Sequence, residues 1–205
     1  MVWGKTSDPE DHAARSRAAS AAMGGAPLHG GSAGVPVSMN VLALDLGSQC
    51  GWALSESGRI ESGVEAFEIA RHESRGMRFV RFNRWLEKIA FRPYGDGVST
   101  VSPYLIVYEQ AHQRGGAATE VAAGFITRVH EFCATRELEF SSVHTATLKK
   151  WTTGRGNAKK PEMIAAVVRR WGAALDIDDN EADAVALLHY ALQEIVPASA
   201  GSSRR

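Results

Sequence analysis

The sequence predicts an α/β fold: a mixed five-stranded sheet with helices on both faces. Two observations carry this. Short apolar runs near residues 41–46, 52–54, 64–67, 104–109 and 140–144 read as strands, and segments of helical periodicity lie between the later ones. Tight turns at Gly47–Gly51 and Ser57–Gly58 make the first three strands antiparallel, whereas helical crossovers make the later strands parallel.

The chain has 205 residues, enough for one domain with a sizeable core. It is 44% hydrophobic and 22% charged, the balance of a soluble globular protein. No apolar run approaches membrane-spanning length, so no membrane association is expected. The N-terminus lacks the apolar core of a signal peptide, so export is not indicated. Cys50 and Cys133 form no CxxC or CxxH pattern, which argues against a structural zinc site and fits a reducing cytoplasm. Formal net charge is zero, a weak argument against a nucleic-acid binder, because a binding face depends on where charges lie.

Residues 1–38 are dominated by Gly, Ala, Ser and Pro and offer little to bury, so they read as a disordered tail. The domain is expected over 39–196, followed by a loose tail over 197–205. Val41-Leu42-Ala43-Leu44-Asp45-Leu46-Gly47 reads as a strand buried on both faces, with Gly47 and Gly51 turning the chain into the next one. Asp45 breaks the apolar run at its C-terminal end. A carboxylate there either binds a cation or caps the turn, and the stretch alone leaves both readings open. Residues 75–90 form a helix with Phe79, Phe82, Trp85, Leu86 and Ile89 on one face. Arg75, Arg78, Arg81, Arg84 and Lys88 fill the other; a solvated face is the ordinary explanation of such a stripe, and a phosphate-facing role is the minority reading.

Leu105-Ile106-Val107-Tyr108-Glu109 repeats the design of an apolar strand ending in an acid, with Leu105, Val107 and Glu109 on one face. A polar, glycine-containing loop over 110–116 follows. Ala117–Thr135 is a helix with a broad apolar surface, suited to packing on the sheet and also to pairing with a second copy. After a strand at 140–144 come a helical turn at 147–151, a basic glycine loop at 152–160, and a helix that carries Pro161 in its first turn. From Ala146 to Gly172 there are seven Lys or Arg against one acid, Glu162. The last helix starts near Asp178-Asp179-Asn180 and runs to about Ile195. On it, Asn180 lies about 60° and Asp179 about 40° from Asp183, whereas Glu181 is about 160° away. One of Asp178, Asp179 and Asn180 is expected to cap the helix; Asp183 lies too far inside for that.

Leu44-Asp45-Leu46-Gly47, Val107-Tyr108-Glu109-Gln110 and Ala182-Asp183-Ala184, in this order, resemble the RuvC family of Holliday-junction resolvases, especially its shorter phage and prophage members. The resemblance runs from about Asn40 to Ile195. It implies a ribonuclease H-like fold, a homodimer and an endonuclease that cuts branched DNA with two divalent ions, Mg²⁺ with Mn²⁺ as a substitute, inside a bacterial or phage-infected cell. It implies catalytic acids at Asp45, Glu109 and Asp183. The ion ligands are expected to be these three together with Asn180 or Asp179. DNA contacts are expected from Lys149, Lys150, Arg155, Lys159, Lys160, His112 and Arg114.

Two positions depart from the family. Asn180 stands where an Asp or His is usual, and a neutral amide oxygen weakens a Mg²⁺ site. His112 stands where the family often has an aromatic wedge. Other readings compete. Asp-x-Gly after a strand also opens the phosphate loop of actin-like ATPases, but the chain is short for their two domains. A related nuclease acting on structured RNA, or a non-catalytic module binding branched nucleic acid, fits the same residues.

Overall fold

The computed structural model describes residues 40–93, 100–101, 103–110, 116–172 and 177–196. The tails expected over 1–38 and 197–205, and the candidate DNA contacts His112 and Arg114, lie outside the described residues.

Strands β1 (Val41–Asp45), β2 (Gln49–Glu56), β3 (Arg59–Ala66), β6 (Leu105–Gln110) and β7 (Glu139–His144) form one five-stranded sheet in the order β3-β2-β1-β6-β7. β2 pairs antiparallel with both β1 and β3, and β6 runs parallel to β1 and β7. The mixed sheet is as expected. Two short strands, β4 (Arg92–Pro93) and β5 (Thr100–Val101), form a separate antiparallel pair.

Among the described residues, five helices cover the sheet: α1 (Met77–Ala90), α2 (Ala117–Arg136), α3 (Thr145–Thr153), α4 (Lys160–Trp171) and α5 (Asp179–Tyr190). Side chains alternate across each strand, so the two faces feed two cores. Val41, Ala43, Leu105 and Val107 pack with Leu148, Met163, Val167 and the apolar side of α5. Leu42, Leu44, Ile106 and Tyr108 pack with α1 and α2. On this second side Phe67, Phe82 and Phe125 are fully buried, with Phe82 and Phe125 edge-on at 4.9 Å. Each such ring contributes about 1.5–3 kcal/mol through burial alone.

Local details differ from the sequence reading. Helix α3 is a full helix rather than one turn; His144 caps it by accepting from the Ala146 amide. Helix α1 starts at Met77, so Arg75 lies outside it. Gly51 does not turn the chain. It sits inside β2, opposite Asp45. Helix α5 is buried nearly all round through Ala182, Ala184, Val185, Ala186, Leu187 and Leu188. It ends at Tyr190, and Ala191–Ile195 continue as a π-helical turn.

Candidate active site

Three elements bring three acids together. Because β1 and β6 run parallel with Leu44 beside Tyr108, Asp45 and Glu109 follow at adjoining C-terminal strand ends. Both lie on the face that carries Val41, Ala43, Leu105 and Val107, the face covered by α5. Asp183 comes from α5. This helix is seated very close to the sheet: a Cβ built on Gly51 would lie 1.9 Å from the backbone oxygen of Asn180. Only glycine allows that approach. Ser62 Oγ donates to Glu181 Oε1 at 2.6 Å and fixes the same turn of α5 to β3. Glu181 thus serves the far side of the helix, as its angle from Asp183 predicts.

The carboxylates lie near enough for their charges to act on one another. Burial pushes the Asp45 carboxyl well above the usual carboxylate range, and the charges of Glu109, Asp183 and Asp179 push it the same way. Asp183 is raised to about 7, by burial first and then by Glu109, with Asp179 adding to it. Lys149 and Lys160 oppose that shift. Thr145 Oγ1 donates to Glu109 Oε1 at 2.7 Å and so holds one carboxylate oxygen in place.

The helix-capping residue is Asp178, whose Oδ1 accepts from the Glu181 amide at 2.8 Å. Asp179 is therefore not the cap. Its carboxylate pairs with the Lys160 ammonium, which comes from the first residue of α4. Of the basic candidates, Lys149 and Lys160 act on the acids. Arg155 is exposed and paired with Glu162, Lys159 caps α4 through its amide to Glu162 Oε2, and Lys150 is exposed on α3.

The donor set fits a hard divalent cation. It consists of carboxylate oxygens, partly buried, and the charges of Glu109 and Asp179 oppose the ionisation of both Asp45 and Asp183. A bound cation would relieve that repulsion. Among the described residues, no three Asp, Glu, His or Cys side chains already close on one point as ligands do.

Sequence reasoning missed three contributors. Thr145 was legible in principle, because β7 runs parallel beside β6 with His144 opposite Gln110, which brings the next residue to the Glu109 end. The contact of Gly51 with Asn180 and the bond from Arg78 Nη1 to Ser48 Oγ at 3.0 Å join residues far apart in the chain, with no local signal.

No family model and no curated protein matches the chain. Solved structures do. A structure of Thermus thermophilus RuvC is similar with a TM-score of 0.58 and 19% identity, over 80% of this chain and 97% of that one. T. thermophilus RuvC in complex with a Holliday junction substrate is similar with a TM-score of 0.59 and 17% identity, over 80% and 96%. The fold is thus the RuvC-like, ribonuclease H-like fold that the three motifs implied.

Proposed function

We propose that the protein is a metal-dependent endonuclease that resolves four-way or other branched DNA junctions. The observation that supports this best is the convergence of Asp45, Glu109 and Asp183, from two strand ends and one helix, with burial and neighbouring carboxylates opposing the ionisation of Asp45 and Asp183, in a fold shared with a protein solved on a Holliday junction. Asp45, Glu109 and Asp183 would hold Mg²⁺, or Mn²⁺ in its place, with Asn180 or Asp179 completing the set. Divalent ions bound there would activate a water and stabilise the leaving oxygen of a phosphodiester.

The chain's own residues divide the remaining work. Thr145 orients Glu109 through its hydroxyl. Lys149 and Lys160 bring positive charge beside the acids and are suited to a phosphate at the site. Lys160 is held by Asp179 in the free protein and would exchange that partner for a phosphate oxygen. Lys150, Arg155 and Lys159 extend the basic surface along α3 and the start of α4.

Two equivalent cuts in a four-way junction need two sites, which a two-fold homodimer supplies. Helix α2 with the neighbouring edge of β7 is the proposed surface. Phe140 is exposed there, on the outer strand of the sheet, and stacks on His130 of α2 at 4.4 Å. The protein is expected to work in the cytoplasm, among DNA.

Cleavage of a four-way junction with Mg²⁺ and with a chelator, beside linear duplex and structured RNA, tests the reading. Metal-dependent, paired cuts in the junction alone are expected. Preferential cutting of RNA would move the substrate class. Binding of the junction without any cutting would overturn the enzymatic reading.

A further inference from the structure

The basic side of α1 is not a uniform solvated stripe. Arg81 is tied to the Glu73 carboxylate at 2.6 Å and to the Glu68 carbonyl at 2.7 Å. Arg84 is exposed. Arg78 differs from both. It is half-buried, and its Nη1 donates to Ser48 Oγ at 3.0 Å. Its Nε is buried with no acceptor. Among the described residues no carboxylate pairs with Arg78, whereas Arg81, Arg92 and Arg136 each hold one. The first turn of α1 contains no acid to take that place.

A guanidinium offers two parallel N–H groups along its Nε–Nη2 edge, the geometry that accepts two oxygens of a phosphate. Ser48 secures the opposite corner at Nη1 and leaves Nε without an acceptor; Nε is covered in the free protein, so a phosphate oxygen meets it only once that cover shifts. A covered donor with nothing to bond is costly, and such a group calls for an explanation.

Its position supplies one. Ser48 lies in the turn directly after Asp45, and its carbonyl accepts the Phe67 amide at 2.7 Å, so the turn is held. Arg78 reaches this turn from the α1–α2 side of the sheet, whereas Lys149 and Lys160 reach the acids from the α3–α4 side. A strand of nucleic acid crossing the C-terminal ends of β1 and β6 would then meet cations on both sides of the acids. We propose that Arg78, oriented by Ser48, binds a backbone phosphate next to the one that is cleaved. This rests on the nucleic-acid reading above.

The test is binding of a four-way junction, without divalent ions, over a series of salt concentrations. Arg78→Ala is expected to weaken binding about tenfold and to reduce the slope against log salt by about 0.9, the loss of one phosphate contact. Arg78→Lys keeps the charge but loses the fork, so the slope should hold while affinity falls by less. Ser48→Ala should fall between wild type and Arg78→Ala. Arg84→Ala should match wild type. Melting curves separate misfolding from lost contact, and a purely structural Arg78 would change melting without changing the slope. An unchanged slope in folded Arg78→Ala overturns this proposal and leaves the nuclease reading standing. Failure of the wild-type protein to bind junction, duplex or RNA overturns both.

Discussion

Gly51 and Asn180 are in backbone contact, so close that a single methyl at Gly51 would lie 1.9 Å from the Asn180 oxygen. This contact sets the height of α5 above the sheet, and with it the height of Asp183 above Asp45 and Glu109. The obstructing atoms are main chain, so no side-chain rotation can relieve a substitution.

Gly51→Ala should therefore displace the start of α5. Overpacking of this kind typically costs about 1–3 kcal/mol. Cleavage should fall further than stability does, because the third acid moves. Urea unfolding together with junction cleavage at matched folded protein checks both. Wild-type values in both assays would show that α5 is not seated by this contact.

Asp45→Asn and Glu109→Gln should each abolish cleavage and leave junction binding largely intact. Carboxylates are expected to hold the ions, while lysines and arginines hold the backbone. Gel-shift and cleavage assays at equal Mg²⁺ separate the two effects. Near-normal turnover in either variant would remove that residue from the metal site.

Asn180→Asp should lower the Mg²⁺ concentration for half-maximal cleavage, because a charged oxygen replaces a neutral one on the Asp183 side of α5. Asp179→Ala should stay active, since Asp178 provides the cap and the lost pair with Lys160 is a surface one, worth about 0–1 kcal/mol. A metal titration of both variants decides between them. Complete loss of cleavage in folded Asp179→Ala would make Asp179 the fourth ligand instead.

The ion-free protein should be less stable above neutral pH than its Asp183→Asn variant. Asp183 has a folded pKa of about 7 against an ordinary 3.8, so between these values the folded state binds more protons than the unfolded. Its contribution to stability thus falls as pH rises from about 4 to 7. The gain in melting temperature from Asp183→Asn should be largest at pH 8 and shrink towards pH 5. Added Mg²⁺ should stabilise the wild type more than the variant. A gain independent of pH would mean that the buried charge is not its source.

Much of this was legible in the sequence because it rests on local patterns. The runs ending in Asp45 and Glu109 gave strand position and facing, and the turns and crossovers gave the direction of each strand. The 100° helical step placed Asp183 on one side of α5 and Glu181 on the other, where Glu181 meets Ser62. Local pattern failed where tertiary contact decides. Gly51 looks like a turn glycine, yet its reason is a helix more than a hundred residues later. Three adjacent residues, Asp178, Asp179 and Asn180, are equally good caps by type. Only the approach of Lys160 from α4 and the chain direction into α5 separate Asp178 from Asp179. Arg78 was hidden in a stripe of like residues, because its partner Ser48 carries no signal of its own.

The late position of α5 in the chain also has a temporal meaning. Synthesis delivers β1 and β6 first, and with them Asp45 and Glu109. All five strands of the large sheet are complete before Asp183 is made. A growing chain can thus assemble its sheet while still lacking the acid that completes the proposed site, since domains form from the N-terminal side as they emerge. The order of the elements thus leaves the proposed site incomplete until α5 has docked.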